Sequence, residues 1–542
     1  MTVSKPRALF VDNRQSTLQN WKEILELSGF AVHVYYVQTR DWVEECRRLA
    51  QRVRPHVAVL DLRLEEDYRP SDVSGMRLLE WMKSASPATG VVIYSAYLDA
   101  ALDQQIAHLG AEFFNKGGAS SKLLEMVHRL ASKASAATRS NPIGWPNAWD
   151  QARIAERLLE TVQADDVQTH NICEDLVHQL FPDAPHLVVQ HLEGAVGVEP
   201  EPVSIGRSVV GYVQRDNLPV KKIVKIATSE RVRQEKENYQ SYIRDQVVGI
   251  YHTQLENSTL FWDLGASIYS LLAEEEQRLQ SFLRFFQSTE DVAQIWQPIY
   301  WFFKNAWKYH YANAVSGEHS MYEEYSRCFK LDEKMARFDI QSLSLDQQYL
   351  AIGNPISWIQ QNKDRLGSAC TRQAITHGDF HGDNMFTNGE RLWVIDFERT
   401  GPGHVLRDFC ELAVDVIVRG IDKDKLDLPK FIRVAAQIVG FHLEEDATLH
   451  DAEVLRLVEF NRLLQDLALE VTSLTDQREY QLALLFDAVF TFLRNGDPDR
   501  LIEKQRAWIL AVLLCEKLTV VDAGSPTHAD PHLLPPSIKA IL

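Results

Sequence analysis

Short apolar runs alternate with longer stretches of helical periodicity along the first 135 residues of the chain. The short runs are rich in β-branched and aromatic residues, and the longer stretches repeat apolar residues every three or four positions. Strand and helix that alternate at this spacing predict βαβ units and a doubly wound parallel sheet with helices on both faces. The predicted strands are 8–12, 31–37, 57–62, 91–96 and 112–117, and the predicted helices are 15–28, 40–53, 74–85, 98–109 and 119–133.

Polar side chains stand where these predicted strands end. Asp12 and Asn13 follow the first strand, Asp61 lies in the third, Ser95 follows the fourth and Lys116 follows the fifth. Because function in such sheets sits at the carboxyl ends of the strands, we expect these side chains to converge on one edge. Their chemistry is coherent. The upstream pair helps to hold Mg²⁺, the Asp61 carboxylate is a nucleophile for a phosphoryl group, and Lys116 and Ser95 bind the new phosphoryl oxygens.

This order, spacing and strand context resembles the receiver domain of bacterial response regulators over about residues 5–135. The resemblance implies a flavodoxin-like fold in which Asp61 is the phospho-acceptor, with Asp12 and Asp61 among the Mg²⁺ ligands. It also places Phe113 at the aromatic position that rotates with Ser95 when phosphate binds. The partner it implies is a sensor histidine kinase or another phosphodonor.

Three departures from the family pattern bear on phosphorylation. Asn13 stands where the family usually has a second acid, which should weaken Mg²⁺ binding. The loop after Asp61 is longer than usual, and Gly117 replaces the proline that commonly follows the lysine. We favour a receiver that is phosphorylated. The alternative is a receiver fold that no longer accepts phosphate and serves as a docking or dimer module, so a homodimer stays open.

A boundary follows the first domain. Residues 134–148 are rich in small residues, Pro and Asn, which is typical of a linker. The next two stretches, 149–164 and 166–180, have the periodicity of amphipathic helices. We prefer to read them as packing helices that join the two halves of the chain, and a dimer seam is the alternative.

A second chemical pattern lies in residues 375–398, which read ITHGDFHGDNMFTNGERLWVIDFE. Asn384 follows Asp379 by five residues, and a short turn and an apolar run that carries Asp396 come next. This spacing, followed by a β-hairpin that ends in Asp-Phe, is the catalytic-loop arrangement of kinase-like phosphotransferases. Asp379 would orient an acceptor hydroxyl and take its proton, while Asn384 and Asp396 would bracket Mg²⁺ against the nucleotide phosphates.

The same stretch resembles the aminoglycoside phosphotransferase and choline kinase group more closely than protein kinases, because it has His-Gly-Asp at 377–379 and Asp-Phe-Glu at 396–398. The resemblance implies a bilobal, α+β kinase-like fold with a largely helical C-lobe, and it implies ATP and Mg²⁺ as cofactors. It places Asp408 as an acid that supports the loop. We divide the chain into a receiver (1–135), a linker with amphipathic helices (136–185), an N-lobe (186–272), a C-lobe (273–525) and a Pro-rich tail (526–542).

A small lobe of this kind requires a lysine that reaches the phosphates. Lys225 lies in a predicted strand at 223–226, and the predicted helix that follows contains Glu235. A Lys225–Glu235 ion pair would hold the ammonium group at the α- and β-phosphates. Glu237 is the alternative partner for this lysine.

Two further parts of the nucleotide site have weaker signals. Gly194 and Gly197 are the candidates for a loop that covers the phosphates, and an ordinary hairpin turn is the alternative. Residues 259–276 read as a strand that runs into a hinge, where backbone groups would contact adenine.

The large lobe leaves the acceptor open. The aromatic-rich stretch 295–314 either lines an acceptor pocket or, as we prefer, belongs to the core, because aromatic side chains bury a large area. Acidic side chains of this lobe would attract a cationic acceptor such as an amino sugar or amino alcohol. The hydroxyl group to be phosphorylated belongs either to a small molecule or to a protein.

Composition argues against several other classes of protein. The 542 residues carry 57 Lys and Arg against 75 Asp and Glu, a formal net charge of −18, which argues against nucleic acid as the main ligand. The six cysteines are scattered and form no Cys-x-x-Cys pair, as is typical of reduced thiols. No apolar run approaches the roughly 18 residues of a membrane-spanning helix, and the N-terminus does not read as a signal peptide. We therefore predict a cytoplasmic protein without membrane insertion.

These features together predict a bacterial signalling enzyme. A phosphorylatable receiver would control an ATP-dependent phosphotransferase that phosphorylates a hydroxyl group of an unidentified acceptor. The alternative is a non-catalytic, nucleotide-binding scaffold that couples phosphorelay input to partner binding.

Overall fold

The computed structural model divides into two compact units. Unit 1 comprises Met1–Lys236 and Gln254–Leu271, and unit 2 comprises Glu237–Thr253 and Leu272–Leu542. The predicted N-lobe, 186–272, is therefore shared between the two units. The residues that the structure describes are 5–66, 68–69, 71–138, 143–145, 158, 166–184, 187–190, 209–215, 221–270, 280–366, 371–443, 450–494 and 500–522.

A parallel sheet with helical connections forms the first part of unit 1. Its strands are β1 (Arg7–Asp12), β2 (Ala31–Tyr36), β3 (Val57–Asp61), β4 (Gly90–Ser95) and β5 (Glu112–Asn115), and its helices are α1 (Gln15–Leu27), α2 (Trp42–Val53), α3 (Gly75–Ala85), α4 (Ala100–His108) and α5 (Ser120–Ala134). The strand order is β2-β1-β3-β4-β5. Strands β3 and β4 are buried along their whole length, as expected when helices cover both faces of a sheet. The doubly wound fold predicted from the periodicity is confirmed.

A second sheet in unit 1 is antiparallel. Its strands are β6 (Leu187–Gln190), β7 (Val209–Arg215), β8 (Lys221–Thr228), β9 (Gln254–Phe261) and β10 (Leu264–Ser270), and its helices are α6 (Asp166–Leu180) and α7 (Ser229–Asn238). The strand order is β6-β7-β8-β10-β9. The helix predicted at 166–180 is confirmed by α6. The helix predicted at 149–164 lies outside the described residues except for residue 158.

The single strand predicted at 259–276 is wrong, because the chain turns back at residue 262. The structure has the end of β9, a two-residue turn and then β10. Trp262 occupies this turn with a φ of 57°, in the left-handed region that bulky residues seldom adopt. Its indole donates a hydrogen bond to the Pro55 carbonyl at 3.2 Å and lies 5.8 Å from the Trp81 ring. Tertiary contacts therefore stabilise a turn that no glycine marks, and residues 271–279 lie outside the described part of the chain.

The two sheets of unit 1 share one hydrophobic core. The same buried cluster contains Leu60 of the parallel sheet, Leu176 of α6 and Ile268 of the antiparallel sheet. Next to this core, the buried Arg54 guanidinium donates through Nε to Asp263 Oδ2 at 3.0 Å. Arg54 precedes β3, so the antiparallel sheet packs on the parallel sheet away from the edge that carries Asp61.

The described part of unit 2 is mainly helical and contains two small sheets. The strands are β11 (Gln280–Ser281), β12 (Val315–Ser316), β13 (Arg372–Thr376), β14 (Met385–Thr387), β15 (Leu392–Val394) and β16 (Gly401–His404), in the orders β11-β14-β15 and β12-β13-β16. The helices are α8 (Phe282–Ser288), α9 (Val292–Trp301), α10 (Lys308–Ala312), α11 (Met321–Phe329), α12 (Leu331–Arg337), α13 (Gln347–Leu350), α14 (Pro355–Asn362), α15 (Arg407–Arg419), α16 (Leu428–Val439), α17 (Ala452–Thr472), α18 (Gln477–Phe492) and α19 (Leu501–Asp522). The helical character predicted for this region is confirmed, and the bilobal kinase-like arrangement stays a prediction.

The aromatic-rich stretch of unit 2 contributes to the core. Phe303, Trp307 and Tyr311 are almost completely buried. The Trp307 indole donates to the Ile375 carbonyl at 2.9 Å and so fixes the strand that precedes residues 377–384. Across the described ranges, no helix is both long enough and apolar enough to cross a membrane.

Candidate functional site

The predicted cluster at the edge of the parallel sheet is formed. Lys116 Nζ lies 2.7 Å from Asp61 Oδ2 and 3.3 Å from Asp12 Oδ2. Both carboxylates are buried, and the lysine side chain is about one-fifth exposed. Because β1 and β3 are hydrogen-bonded neighbours, their last residues bring the two carboxylates together beside one ammonium group.

Burial dominates the electrostatics of this cluster. It raises the pKa of Asp61 to about 6, and the Asp12 carboxylate also raises it, while Lys116 acts in the opposite direction. A further cation beside Asp61 would favour the ionised form of this carboxyl.

Asn13 completes an oxygen-rich donor set. Its Nδ2 donates to the Arg63 carbonyl at 3.0 Å, and its buried Oδ1 has no hydrogen-bond partner among the described residues. Asp12, Asp61 and Asn13 thus offer two carboxylates and one amide oxygen, the hard ligands that suit Mg²⁺. The residues fit the predicted metal, although Asn13 supplies less charge than a second acid would.

The other predicted residues of this pocket lie on neighbouring strands. Ser95 is buried at the end of β4, and its carbonyl accepts a hydrogen bond from the Lys116 backbone N–H at 2.9 Å. Phe113 is half-buried in β5. The Lys116 ammonium lies 5.1 Å from the centre of the Tyr94 ring. This contact was not predicted from the sequence.

The predicted lysine–glutamate pair is present in unit 1. Lys225 Nζ donates to Glu235 Oε2 at 3.0 Å, and both side chains are buried. Lys225 lies in β8 and Glu235 in α7, so a strand and the helix that follows it hold the pair. The role of this pair at ATP phosphates stays a prediction, and Gly194 and Gly197 lie outside the described residues.

In unit 2, Asp379 lies in the loop between β13 and β14. The Asn384 amide donates to the Asp379 carbonyl at 2.9 Å and to its Oδ2 at 3.1 Å, and Arg399 donates to its Oδ1 at 3.0 Å. Burial raises the pKa of Asp379, but Arg399, His381 and Arg494 outweigh it and hold this pKa well below its usual range. The carboxylate is therefore ionised at neutral pH.

Asn384 and Asp396 are brought together by a short hairpin. Asn384 precedes β14 and Asp396 follows β15, and the Ile395 backbone N–H donates to the Asn384 carbonyl at 3.0 Å. Asn384 Oδ1 is buried and has no hydrogen-bond partner among the described residues. An amide oxygen and a carboxylate at this spacing fit Mg²⁺, which is commonly held by one or two protein ligands plus phosphate oxygens.

Helix α15 holds the backbone of the Asp379 loop. Three of its carboxylates, spaced three and four residues apart, lie on one helix face. Each accepts hydrogen bonds from loop amides at 2.6–2.9 Å, in the pairs Asp408 with His377 and Gly378, Glu411 with Phe380, and Asp415 with Gly382. Gly378 has a φ of 78°, and a Cβ there would collide with the Arg399 carbonyl.

Asp408 carries the largest share of this support. Besides the two amides, it accepts a hydrogen bond from the Tyr311 hydroxyl at 3.0 Å. Burial raises the pKa of Asp408 to about 7, Glu411 raises it further, and the two backbone N–H groups act against this. The supporting position predicted for Asp408 is formed in the structure.

Comparison with known families identifies the first region. Residues 8–128 match the model of the response regulator receiver domain. The N-terminal part of the chain is a receiver domain. Residues 341–477, which include the Asp379 loop, match ternary complex associated domain 9. No curated protein matches the chain.

Solved structures similar to the chain align with its receiver region. A CheY-like receiver domain protein of Methanospirillum hungatei JF-1 is 22% identical, with a TM-score of 0.21, and the alignment covers 24% of this chain and 96% of that one. The HemR receiver domain of Leptospira biflexa is 26% identical, with a TM-score of 0.20 and coverages of 24% and 95%. A response regulator of Thermotoga maritima is 24% identical, with a TM-score of 0.20 and coverages of 24% and 99%.

Several residues around the Asp379 loop were not predicted from the sequence. Glu411 and Asp415 had a readable signal, because their spacing after Asp408 places three acids on one helix face. Arg399, which contacts Asp379, and Asn238, which donates to the Phe397 carbonyl at 3.0 Å, had none. Asn238 acts across 159 positions of the sequence that only the fold brings together, and Arg399 reaches back 20 positions.

Proposed function

We propose that the chain is an ATP-dependent phosphotransferase controlled by its receiver domain. The single observation that carries this proposal is the loop that bears Asp379 and Asn384, whose backbone amides are bound by α15 and which a short hairpin joins to Asp396. Such a loop presents an ionised carboxylate with a fixed position and leaves an amide oxygen for a metal. The receiver supports phosphorelay input, with a sensor kinase or another phosphodonor as partner.

In the proposed reaction a hydroxyl oxygen of the acceptor attacks the γ-phosphorus of ATP. The new bond joins that oxygen to phosphorus, the bond to the bridging oxygen of ADP breaks, and ADP leaves. Asp379 accepts the hydroxyl proton and orients the nucleophile, while Arg399 and Asn384 hold its carboxylate in place. Asn384 and Asp396 would hold Mg²⁺, which when bound neutralises charge on the phosphates.

The test is Mg-ATP turnover by the full chain without an added acceptor, measured as phosphate release. We expect slow release by the wild type and a rate about 10²- to 10⁴-fold lower for Asp379→Asn, which keeps the shape of the side chain and removes the base. Asp424→Asn, an exposed position of unit 2, is the matched control and should behave as the wild type.

Equal turnover by the wild type and Asp379→Asn would contradict the role given to this carboxylate. Tight Mg-ATP binding with no turnover by either protein, together with a partner protein that is retained, would favour the nucleotide-binding scaffold instead.

A further inference from the structure

A cavity with cationic walls lies in unit 2. It has a volume of about 360 Å³ and is lined in part by Lys330, Lys334, Arg337, Arg494 and Lys504. This volume falls in the range of small-molecule sites, which is about 300–1,000 Å³. Helices α12, α18 and α19 and the segments next to them supply these side chains, so the cavity is built on regular elements.

Two acids, Glu333 and Asp339, line the same cavity, and Glu333 is paired with one of the lining arginines. Glu333 Oε1 lies 2.9 Å from Arg337 Nη1 on the same helix, and Asp339 Oδ1 accepts the Gln341 backbone N–H at 3.0 Å. Within the described ranges, no carboxylate lies within 4 Å of the Lys330 or Lys334 ammonium groups. The lining of the cavity therefore carries five cationic side chains against two carboxylates.

Three cations converge on one aromatic ring beside this cavity. Lys334 Nζ lies 4.2 Å from the centre of the Phe490 ring, and the guanidinium carbons of Arg494 and Arg399 lie at 5.0 and 5.6 Å. Burial lowers the pKa of Lys334 to about 8, and Arg399, Arg494 and Lys330 contribute to the lowering. Crowding of like charges in a half-buried place costs free energy that a bound anion would offset.

Two of these cations, Arg399 and Arg494, also act on Asp379, the proposed reacting group. Arg399 donates to Asp379, and the charge of Arg494 helps to lower the pKa of that carboxyl. The acids of α15, in contrast, are occupied by loop amides and by arginines of their own helix. Arg494 lines both this cavity and the pocket that Asp379 lines, so it connects the cationic walls to the proposed reacting group.

We propose that the acceptor is a phosphomonoester, whose phosphate group binds in this cavity at Lys334, Arg494 and Lys330 while its hydroxyl group reaches Asp379. Arginine and lysine together suit phosphate, because the guanidinium group donates two parallel hydrogen bonds and the ammonium group adds a compact charge. The assignment of this anion as acceptor rests on the proposed phosphotransferase function. The binding of phosphate in the cavity does not depend on that function.

The test measures inorganic phosphate binding to the full chain by calorimetry in a chloride buffer. Lys334→Gln and Lys330→Gln should each weaken binding by about tenfold, the loss expected for one charged hydrogen bond to phosphate. Lys334→Arg should keep most of the affinity. Lys423→Gln, at an exposed lysine of the same unit, should bind as the wild type does.

A second measurement needs no variant. At pH 8 we expect the Lys334 amine to react with an acylating reagent, and inorganic phosphate should slow this labelling while Lys423 is labelled at an unchanged rate. The inference would be overturned if the wild type did not bind phosphate or if all variants bound it equally. It would also be overturned if phosphate did not slow the labelling of Lys334.

The two proposals fail separately. If Asp379→Asn abolishes ATP turnover while Lys334→Gln leaves phosphate affinity unchanged, the phosphotransferase proposal is supported and the anionic acceptor is contradicted. If Lys334→Gln weakens phosphate binding while Asp379→Asn leaves ATP turnover unchanged, the anion site is supported. The phosphotransferase and the acceptor assignment are then both contradicted.

Discussion

In the receiver pocket Lys116 bridges Asp12 and Asp61 directly, whereas in unit 2 the carboxylates of α15 bind the backbone of the loop that carries Asp379. The first pocket is held together by its own functional side chains. The backbone of the second is held by α15 side chains that take no part in the proposed chemistry, and only Asn384 both contacts Asp379 and belongs to the proposed metal ligands.

The difference predicts how each site responds to substitution. Removing a functional group from the receiver pocket removes both a reactant and a support, because they are the same residues. In the Asp379 loop the support that α15 gives to the backbone is separate from the reactive groups, so a substitution in α15 should disturb the loop while every proposed reactive group remains. The predictions below test this separation.

The largest effect is expected from Asp61→Ala in the receiver. A small-molecule phosphodonor such as acetyl phosphate should label the wild type and should fail to label the variant, because Asp61 is the predicted nucleophile and Asp12 is predicted to hold the metal. In the wild type the donor should also change Mg-ATP turnover, and this change should disappear in the variant. Mass spectrometry and phosphate release measure the two results.

Asp103→Ala, an exposed acid on α4, is the matched control and should be labelled normally. Labelling of Asp61→Ala at the wild-type level would show that another carboxylate is the phospho-acceptor. An unlabelled wild type would favour the docking or dimer role of the receiver.

The second effect concerns Asp408→Ala, which removes the acceptor for the amides of His377 and Gly378 and for the Tyr311 hydroxyl. Three buried donors without a partner should cost about 3–5 kcal/mol of local stability. Hydrogen exchange followed by mass spectrometry should show exchange of residues 375–384 accelerated by about 100-fold or more, while the receiver exchanges as in the wild type.

Tyr311→Phe is the graded control for this change, because it removes one donor and leaves both amides bound. It should cost about 1 kcal/mol, and its smaller effect separates the loss of the amide contacts from the loss of core packing. Unchanged exchange in Asp408→Ala would mean that Glu411 and Asp415 hold the loop without Asp408.

Sequence separation explains how far the structure could be predicted from the sequence. The receiver pocket was predictable, because Asp12, Asp61 and Lys116 follow apolar runs whose alternation defines a parallel sheet. The spacing of Asp379, Asn384 and Asp396 was equally local. The turn at Trp262 was not, because contacts with residues about 200 positions away stabilise a backbone conformation that the local sequence disfavours.

The smallest effect is expected from Asn13→Asp, which restores the acid that receivers usually have. The added charge should tighten Mg²⁺ binding by about tenfold, since ligand charge sets affinity at oxygen sites of this kind. The new side chain cannot donate to the Arg63 carbonyl and repels Asp12 and Asp61, so without metal the receiver should lose about 1 kcal/mol of stability. Calorimetry with Mg²⁺ and thermal unfolding with and without the ion measure both parts. A variant that is destabilised but binds Mg²⁺ no better would place Asn13 outside the metal site, and the receiver pocket would then depend on Asp12, Asp61 and Lys116 alone.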